Sequence, residues 1–170
     1  MFLVIKYMRI NLLKSKLHRA KITNVELNYE GSCAIDQSLM ESANINEFEM
    51  LHIYNLNNGN RFTTYAIKAE KNSGIISFNG AAAYKGEVGD LIIICTYAEI
   101  ESNKVKLHKP KLVYFKEDTN IIDTVKSKIS EQKKGKIINL YIEFYYVSRN
   151  VDNHNFNNNN DGELLLVWKR

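Results

Sequence analysis

The feature that most constrains the fold of this chain is a set of short runs in which apolar and polar residues alternate. Val25, Leu27 and Tyr29 alternate with charged or polar neighbours, and this two-residue period is that of a strand with one buried face. A single proline, at position 110, interrupts the sequence. Similar patterns predict further strands at 50–56, 61–67, 75–78, 91–100 and 112–115. Several strands with little helix predict a mainly β domain that closes into a barrel.

One short helix and one tight turn are predicted between these strands. Asp36 can cap a helix, and three apolar residues follow it at close to helical spacing: Leu39, Met40 and Ala43. The run NNGN at 57–60 joins two strands and is typical of a turn in which Asn and Gly supply positive φ angles. The strand that contains Val25 is predicted to end at Gly31 and Ser32, which places that pair at a strand-to-turn junction.

The charge distribution separates the chain into two parts. Positions 126–170 hold eight Lys or Arg and five Asp or Glu, so +3 of the net charge of +4 lies there. A nucleic-acid-binding domain usually concentrates basic residues on its functional part, so we expect no nucleic-acid partner. We assign 1–125 to the folded domain and 126–170 to a C-terminal extension, which is basic and then rich in asparagine. This extension either adds a hairpin or lacks stable structure.

The cysteines and the apolar segments limit the location of the protein and its ligands. Cys33 and Cys95 cannot make a disulfide framework, and their spacing is not that of a metal site. Free thiols are typical of the reducing cytosol. No stretch approaches the roughly 18 apolar residues of a membrane span. We therefore expect a cytoplasmic protein with no bound metal and no membrane partner.

Three short blocks carry most of the functional information. They read YEGSCAID at 29–36, RFTTY at 61–65 and NGAAA at 79–83. In this order and spacing they resemble the aspartate 1-decarboxylase family, small bacterial enzymes that cut their own chain to make a pyruvoyl cofactor. The resemblance extends from about Met8 to Ile122, and it implies a double-psi β-barrel with one or two short helices. Because only seven residues precede Met8, this methionine is an alternative start of translation.

The resemblance implies that the peptide bond between Gly31 and Ser32 is cleaved. Gly31 has no Cβ and tolerates backbone angles that expose its carbonyl group, which the Ser32 hydroxyl can attack. In the family, the resulting ester is eliminated and residue 32 becomes a covalent pyruvoyl group, which forms a Schiff base with L-aspartate. The pyruvoyl group then serves as the electron sink for loss of the α-carboxylate. For an isolated Gly-Ser pair, an ordinary turn would be the better interpretation.

The resemblance also implies roles for residues outside the cleaved bond. Tyr65 is the proton donor, and a phenol pKa of about 10 keeps it protonated at neutral pH. Arg61 binds a substrate carboxylate through both prongs of its guanidinium, and Lys16 is a second cation for a carboxylate. Thr64 contacts the cleavage-site carbonyl and the substrate region. The remaining substrate contacts come from the third block, where backbone N–H groups can approach the substrate: Gly80, Ala81 and Ala82.

Each of these residues also has a purely structural interpretation. Tyr65 could be a half-exposed strand tyrosine, Arg61 a salt-bridged surface arginine and Lys16 a solvated lysine.

The sequence departs from the family pattern at two positions near these residues. Asn28 stands where the family commonly has histidine, which bears on the rate of self-cleavage, and Tyr54 replaces a tryptophan, which alters the shape of the pocket.

The primary hypothesis is a pyruvoyl-dependent lyase that converts L-aspartate to β-alanine and carbon dioxide for pantothenate and coenzyme A synthesis. The resemblance implies a homotetramer with active sites between subunits, and it leaves open an accessory maturation protein. One alternative is a barrel that does not cleave and acts as a binding or scaffold module. Another is a basic interaction protein whose extension binds an anionic partner. Ser32 together with the second block favours the enzyme, because a scaffold needs none of these side chains.

Overall fold

The structure, a computed structural model, describes residues 8–132, and the fold is that of this part of the chain. Nine strands, one α-helix and two 3₁₀-helices lie in this range. The strands are β1 (Arg9–Lys21), β2 (Asn24–Glu26), β3 (Ser32–Asp36), β4 (Met50–Asn55), β5 (Arg61–Ala69), β6 (Ile76–Asn79), β7 (Leu91–Glu101), β8 (Lys111–Phe115) and β9 (Ile122–Lys126). Helix α1 spans Gln37–Ala43, and the 3₁₀-helices span Gly80–Lys85 and Ser102–Leu107. None of the helices in the described range is long and apolar enough to cross a membrane.

All of these strands belong to one hydrogen-bonded sheet, in the order β2-β6-β3-β5-β4-β7-β1-β8-β9. The pairs β1–β8, β2–β6 and β3–β5 are parallel, and the other neighbours are antiparallel. Strand β3 begins at Ser32 and lies between β5 and β6. The sheet order therefore brings the three sequence blocks to neighbouring strands.

The sheet curls around a single apolar core. Phe78 of β6 and Val113 of β8 come from opposite ends of the strand order, and both belong to the same buried cluster. Asn120, between β8 and β9, links the two ends directly. Its Nδ2 donates hydrogen bonds to the carbonyl oxygens of Lys21 and Gly74, each at 2.8 Å. The mainly β, barrel-like fold predicted from the sequence is confirmed.

The predicted helix is confirmed together with its cap. The Asp36 carboxylate accepts a hydrogen bond from the Ser38 backbone N–H at 2.7 Å, which satisfies one of the free donors at the start of α1. The helix buries the three predicted side chains, Leu39, Met40 and Ala43. It ends at Asn44, whose φ of 57° is left-handed, a conformation that asparagine adopts more readily than most residues.

The turn at 57–60 is confirmed, but its backbone angles differ from the prediction. Only Gly59 among these four residues has a positive φ, of 77°. The prediction that the asparagines also supply positive φ angles is wrong, because their side chains stabilise the turn in another way. The Oδ1 atom of Asn58 accepts a hydrogen bond from the Asn60 backbone N–H at 2.9 Å, a turn contact typical of asparagine and aspartate.

The predicted strand over Val25 and Tyr29 is wrong in its second half. Strand β2 ends at Glu26, and the chain turns over 27–30. Tyr29 is therefore about half exposed, at 55%, although the alternating pattern assigned it to a buried face. Ser32 starts a strand and does not end one.

Strands β1, β3 and β9 were absent from the sequence prediction. In β1, the pairing with β7 shifts register between Leu13 and Ser15 and again between His18 and Ala20. Each irregularity interrupts the inward–outward alternation, so no two-residue period runs along the strand.

The predicted boundary at residue 125 stays a prediction, and most of the predicted extension, from residue 133 onward, lies outside the described residues.

Candidate active site

The backbone at the predicted cleavage bond is in an unusual conformation. Gly31 has a φ of 103° and Ser32 a φ of 77°. A positive φ is inexpensive for glycine but costs roughly 1–2 kcal/mol for a residue with a Cβ. Strained backbone of this kind persists where the surrounding structure enforces it, and it concentrates at functional sites. The strain falls on the residue that the sequence identified as the nucleophile.

The Ser32 hydroxyl is buried without a hydrogen-bond partner. Ser32 is only 5% exposed, and its Oγ makes no hydrogen bond within residues 8–132. Leaving a buried hydroxyl unpaired typically costs about 1–3 kcal/mol. An unpaired hydroxyl is also free to attack, because no existing hydrogen bond must break first.

The third sequence block holds the cleavage segment from one side. Ser32 pairs with Asn79 across β3 and β6, and the chain then turns at Gly80, which has a φ of 59°. A Cβ on Gly80 would lie 2.9 Å from the Gly31 Cα and 3.2 Å from the Tyr29 carbonyl oxygen. Real Cβ atoms do not approach backbone so closely, so glycine at position 80 permits this contact.

The second sequence block lies on the other side of Ser32. Cys33 of β3 pairs with Ala66 of β5 in a parallel register, and both side chains are fully buried. Ser32 and Tyr65 each come immediately before a member of this pair. The parallel register therefore brings Ser32 level with Tyr65 on a strand about 4.8 Å away, and alternation along β5 places the Tyr65 side chain on the face opposite Ala66. Tyr65 is 43% exposed on this face.

Thr64 and Arg61 lie on opposite faces of β5, as the two-residue period of a strand requires. Exposure alternates along the strand, with Arg61 and Tyr65 exposed and Thr64 partly buried. Thr64 pairs with the buried Leu51 of β4, so it lies on the opposite face from Tyr65. Arg61 shares the outward face with Tyr65 but stands four residues away, about 13 Å along an extended strand.

The Arg61 guanidinium packs on a tyrosine ring. Its Cζ atom lies 4.8 Å from the centroid of the Tyr54 ring. Arg61 makes no salt bridge to a carboxylate within the described residues, whereas Lys14 is paired with Glu49 at 2.6 Å. The ring supports one face of the guanidinium, and its N–H edge can still bind an anion.

Lys16 is not brought next to Ser32 by the strand pairing. It lies on β1 opposite Cys95 of β7, which pairs with His52 of β4, which in turn pairs with Thr63 of β5. The row places Lys16 three strand spacings from β5, about 14 Å. Within one chain, strand pairing relates Lys16 to the second block only through this row, measured along the curled sheet.

The remaining two predicted residues lie in the first turn of the 3₁₀-helix Gly80–Lys85. Ala81 is exposed, whereas Ala82 is buried and belongs to the core cluster. The methyl group of Ala82 therefore packs inward, and only its backbone could meet a ligand.

Cys33, the chain neighbour of Ser32, and His18 of β1 both stay neutral at physiological pH. Complete burial raises the pKa of the Cys33 thiol, so this neighbour of Ser32 does not form a competing thiolate. Burial, followed by the charges of Lys16 and Arg19, lowers the pKa of His18 to about 4. The Ser32 hydroxyl, the predicted nucleophile, lies next to the Gly31 carbonyl in the chain and makes no hydrogen bond within the described residues.

Sequence reasoning missed two features of this site. The contact of Gly80 with Gly31 joins residues from different blocks, and no local pattern signals it. The hydroxyl of Tyr54 lies 3.2 Å from that of Tyr97, and Tyr97 had no assigned role. The only available signal was the substitution of tyrosine for tryptophan at position 54.

Comparison with known proteins matches the region in which these features lie. The family model described as aspartate decarboxylase matches residues 8–122. The aspartate 1-decarboxylase of Hydrogenovibrio crunogenus is 59% identical over 117 residues, covering 69% of this chain and 91% of the relative. That of Nitrosococcus oceani is 60% identical over 115 residues, covering 68% and 90%. That of Methylobacillus flagellatus is 58% identical over 114 residues, covering 67% and 90%. The resemblance carried by the three blocks, and its extent, are confirmed.

Proposed function

The chain belongs to the aspartate decarboxylase family of lyases, and on this premise we propose that it decarboxylates L-aspartate to β-alanine with a pyruvoyl group made from its own Ser32. The products are β-alanine and carbon dioxide, and β-alanine is used for pantothenate and coenzyme A. The observation that carries the proposal is Ser32 itself, which is buried, unpaired at Oγ within the described chain and held at a φ of 77°.

Self-cleavage uses Ser32 and the preceding carbonyl. The Ser32 Oγ attacks the Gly31 carbonyl carbon, the C–N bond breaks, and the Gly31 acyl group moves from nitrogen to oxygen. Elimination then removes the Ser32 Cα proton and breaks the Cβ–O bond, which releases the first chain with a carboxylate at Gly31. Water converts the dehydroalanine at position 32 to the pyruvoyl group with loss of ammonia. Backbone strain at Ser32 favours the first step, because the attack relieves it.

The residues present fit a carbonyl group at position 32. A pyruvoyl group there supplies an electron sink for loss of the α-carboxylate. Tyr65, level with Ser32 on the neighbouring strand, is our proposed donor of the proton that the substrate Cα acquires. Its partial exposure on this face keeps the phenol accessible to a substrate.

Charge recognition is assigned to the two cations and to the third block. We propose that Arg61 binds a carboxylate of aspartate with its fork of N–H groups, and that Lys16 supplies a second positive charge. Thr64 orients the segment at the cleavage bond, and the backbone of Gly80, Ala81 and Ala82 contacts the substrate. The free N–H edge of Arg61 in the described chain supports its role.

We further propose that the active enzyme is a homotetramer with sites between subunits. The face that carries Tyr65 is open in the described chain, and neighbouring Met50 is 60% exposed. A second copy would cover this face and also shorten the distance from Lys16 to a substrate. Light scattering coupled to size exclusion measures the mass and tests this point.

The function is tested by following carbon dioxide and β-alanine production from L-aspartate. We expect release of both products in equal amounts by the wild-type protein and none by Ser32→Ala. Activity in Ser32→Ala would contradict the cofactor assignment. A wild-type protein that is fully cleaved but does not consume aspartate would contradict the assignment of substrate.

A further inference from the structure

Four side chains form a continuous contact chain on the outward face beside the proposed site. The His52 ring meets the Tyr97 ring edge-on, with centroids 5.0 Å apart and planes at 82°. The Tyr97 and Tyr54 hydroxyls lie 3.2 Å apart. The Tyr54 ring then lies under the Arg61 guanidinium at 4.8 Å.

We propose that the hydroxyl pair of Tyr54 and Tyr97 is a positioning device that fixes the Arg61 guanidinium and so sets the affinity for the substrate carboxylate. The inference rests on the proposed function, in which Arg61 binds a carboxylate of aspartate. In this arrangement neither tyrosine contacts the reacting atoms, and both act through Arg61.

The mobility of an exposed arginine is the reason that such a device matters. A free arginine side chain loses about 2 kcal/mol of rotamer freedom when it is fixed, and that loss weakens any bond it makes to a ligand. Arg61 is exposed and has no carboxylate partner among residues 8–132, so the Tyr54 ring is the contact that orders it. A guanidinium that is ordered before binding loses less freedom when the substrate arrives.

The ring of Tyr54 needs its own support, and the hydroxyl pair supplies it. Tyr54 and Tyr97 lie on the paired strands β4 and β7, so the contact ties two different strands together. The hydrogen bond with Tyr54, and then partial burial, raise the pKa of Tyr97 above its usual value. Tyr97 therefore stays protonated at neutral pH and can donate its hydroxyl hydrogen to Tyr54.

The test separates loss of the ring from loss of the hydroxyl. Tyr54→Leu removes the surface under Arg61, and we expect KM for aspartate to rise about tenfold with little change in kcat. Tyr54→Phe and Tyr97→Phe keep both rings and remove one hydroxyl each, and each should raise KM about threefold. The double Phe variant should also show about a threefold rise, because either single change already breaks the pair. Tyr84→Phe, an exposed tyrosine outside the contact chain, is the matched control and should not change KM.

A binding measurement makes the result independent of catalysis. Succinate is a dicarboxylate without an amino group, so calorimetry with succinate reports carboxylate recognition alone. We expect Tyr54→Leu to raise the succinate Kd about tenfold in the wild-type background and to have almost no further effect in Arg61→Lys. If wild type fails to decarboxylate aspartate but this pattern is seen, the proposed function fails and the positioning role stands. Equal effects of Tyr54→Leu in both backgrounds, or no succinate binding by wild type, would overturn the positioning role.

Discussion

Strand β3 has two buried polar ends that the surrounding structure treats in opposite ways. Ser32 at its start is 5% exposed and Asp36 at its end is 1% exposed. The Ser32 hydroxyl has no partner within the described residues. The Asp36 carboxylate accepts hydrogen bonds from the Ser38 backbone N–H and hydroxyl at 2.7 Å, from the Asn72 N–H at 3.0 Å and from the Gly74 N–H at 2.7 Å.

The difference in hydrogen bonding between the two ends of β3 distinguishes the proposed reactive end from an end with a purely structural role. Burying a polar group without a partner costs free energy of folding, and most proteins avoid it. At Asp36 the cost is offset by four hydrogen bonds, which cap α1 and hold the segment before β6. At Ser32 the cost is left in place, together with a positive φ. The end of β3 with the unsatisfied polar group is therefore the one at which we propose a free nucleophile, and the other end is fully hydrogen-bonded.

Among the variants near the Ser32 end of β3, Tyr65→Phe is expected to have the largest effect, a fall in kcat. The change removes one hydroxyl and keeps the ring, so the barrel should fold and Ser32 should be processed. Loss of a general acid is worth on the order of 10²–10⁴-fold, so kcat should fall by that factor while KM changes little. Initial rates of β-alanine formation, with intact mass as the control for processing, check this. A wild-type kcat would remove Tyr65 from the mechanism.

The next effect concerns the contact that holds the cleavage segment. Gly80→Ala places a Cβ against Gly31, and a displacement of the order of 1 Å can cost about 10²-fold in rate. We expect cleavage to slow by about that factor, as measured from the time course of chain separation on a denaturing gel. Gly59→Ala is the matched control, because Gly59 also has a positive φ but a Cβ added to it would meet no atom within 4 Å. Equal slowing in both variants would show that backbone strain, and not the contact with Gly31, limits cleavage.

A stability effect is expected at the satisfied end of the strand. Asp36→Ala removes the cap of α1 and leaves N–H groups unpaired, which should lower the free energy of unfolding by about 3 kcal/mol. Urea unfolding in the Ser32→Ala background keeps a single chain and isolates this effect. Asp123→Ala on the exposed strand β9 should change stability by less than about 0.5 kcal/mol. Cleavage of Asp36→Ala alone, measured well below its melting temperature, should proceed at the wild-type rate. Loss of cleavage there would show that the two ends of β3 are not independent.

The smallest expected effect is the pH dependence that the Asp36 carboxylate gives to the free energy of unfolding. Burial alone would raise the pKa of Asp36, but hydrogen bonds from Ser38, Gly74 and Asn72 outweigh burial and hold the pKa below its usual value. A depressed pKa contributes stability that is present above the unfolded value of about 4 and is lost as the pH falls through the folded value. The stability difference between Ser32→Ala and Ser32→Ala/Asp36→Asn should therefore be constant above about pH 4 and shrink below it. A difference that grows as the pH falls would contradict this assignment.

The same contrast explains which parts of the structure were predictable from the sequence. Helix α1 and its Asp36 cap are local, because the cap and its first donor are two residues apart, and both were predicted. Strand β1 was missed because its two bulges break the alternating period. The neighbouring positions of Ser32 and Tyr65 depend on the parallel pairing of β3 with β5. No periodicity could show that pairing, and only the family resemblance implied it.

The finer geometry of the site could not have been predicted. The contacts between Gly80 and Gly31 and between Tyr54 and Tyr97 each join distant positions, and neither residue type signals its partner. The positive φ of Ser32 is also invisible in the sequence, since serine ordinarily avoids that conformation. These are the features in which tertiary structure imposes a local conformation that the sequence alone does not favour.

Self-cleavage between Gly31 and Ser32 underlies every functional assignment to this chain, and the intact mass of the purified wild-type protein decides whether it occurs. We expect two chains, residues 1–31 and 32–170, with the second lacking a free amino terminus. Because Asn28 replaces the usual histidine, the sample should be followed over hours at raised temperature. Ser32→Ala, treated identically, should remain one chain of 170 residues. A wild-type protein that stays intact under these conditions, or a Ser32→Ala protein that separates at the same bond, would rule out self-cleavage by Ser32.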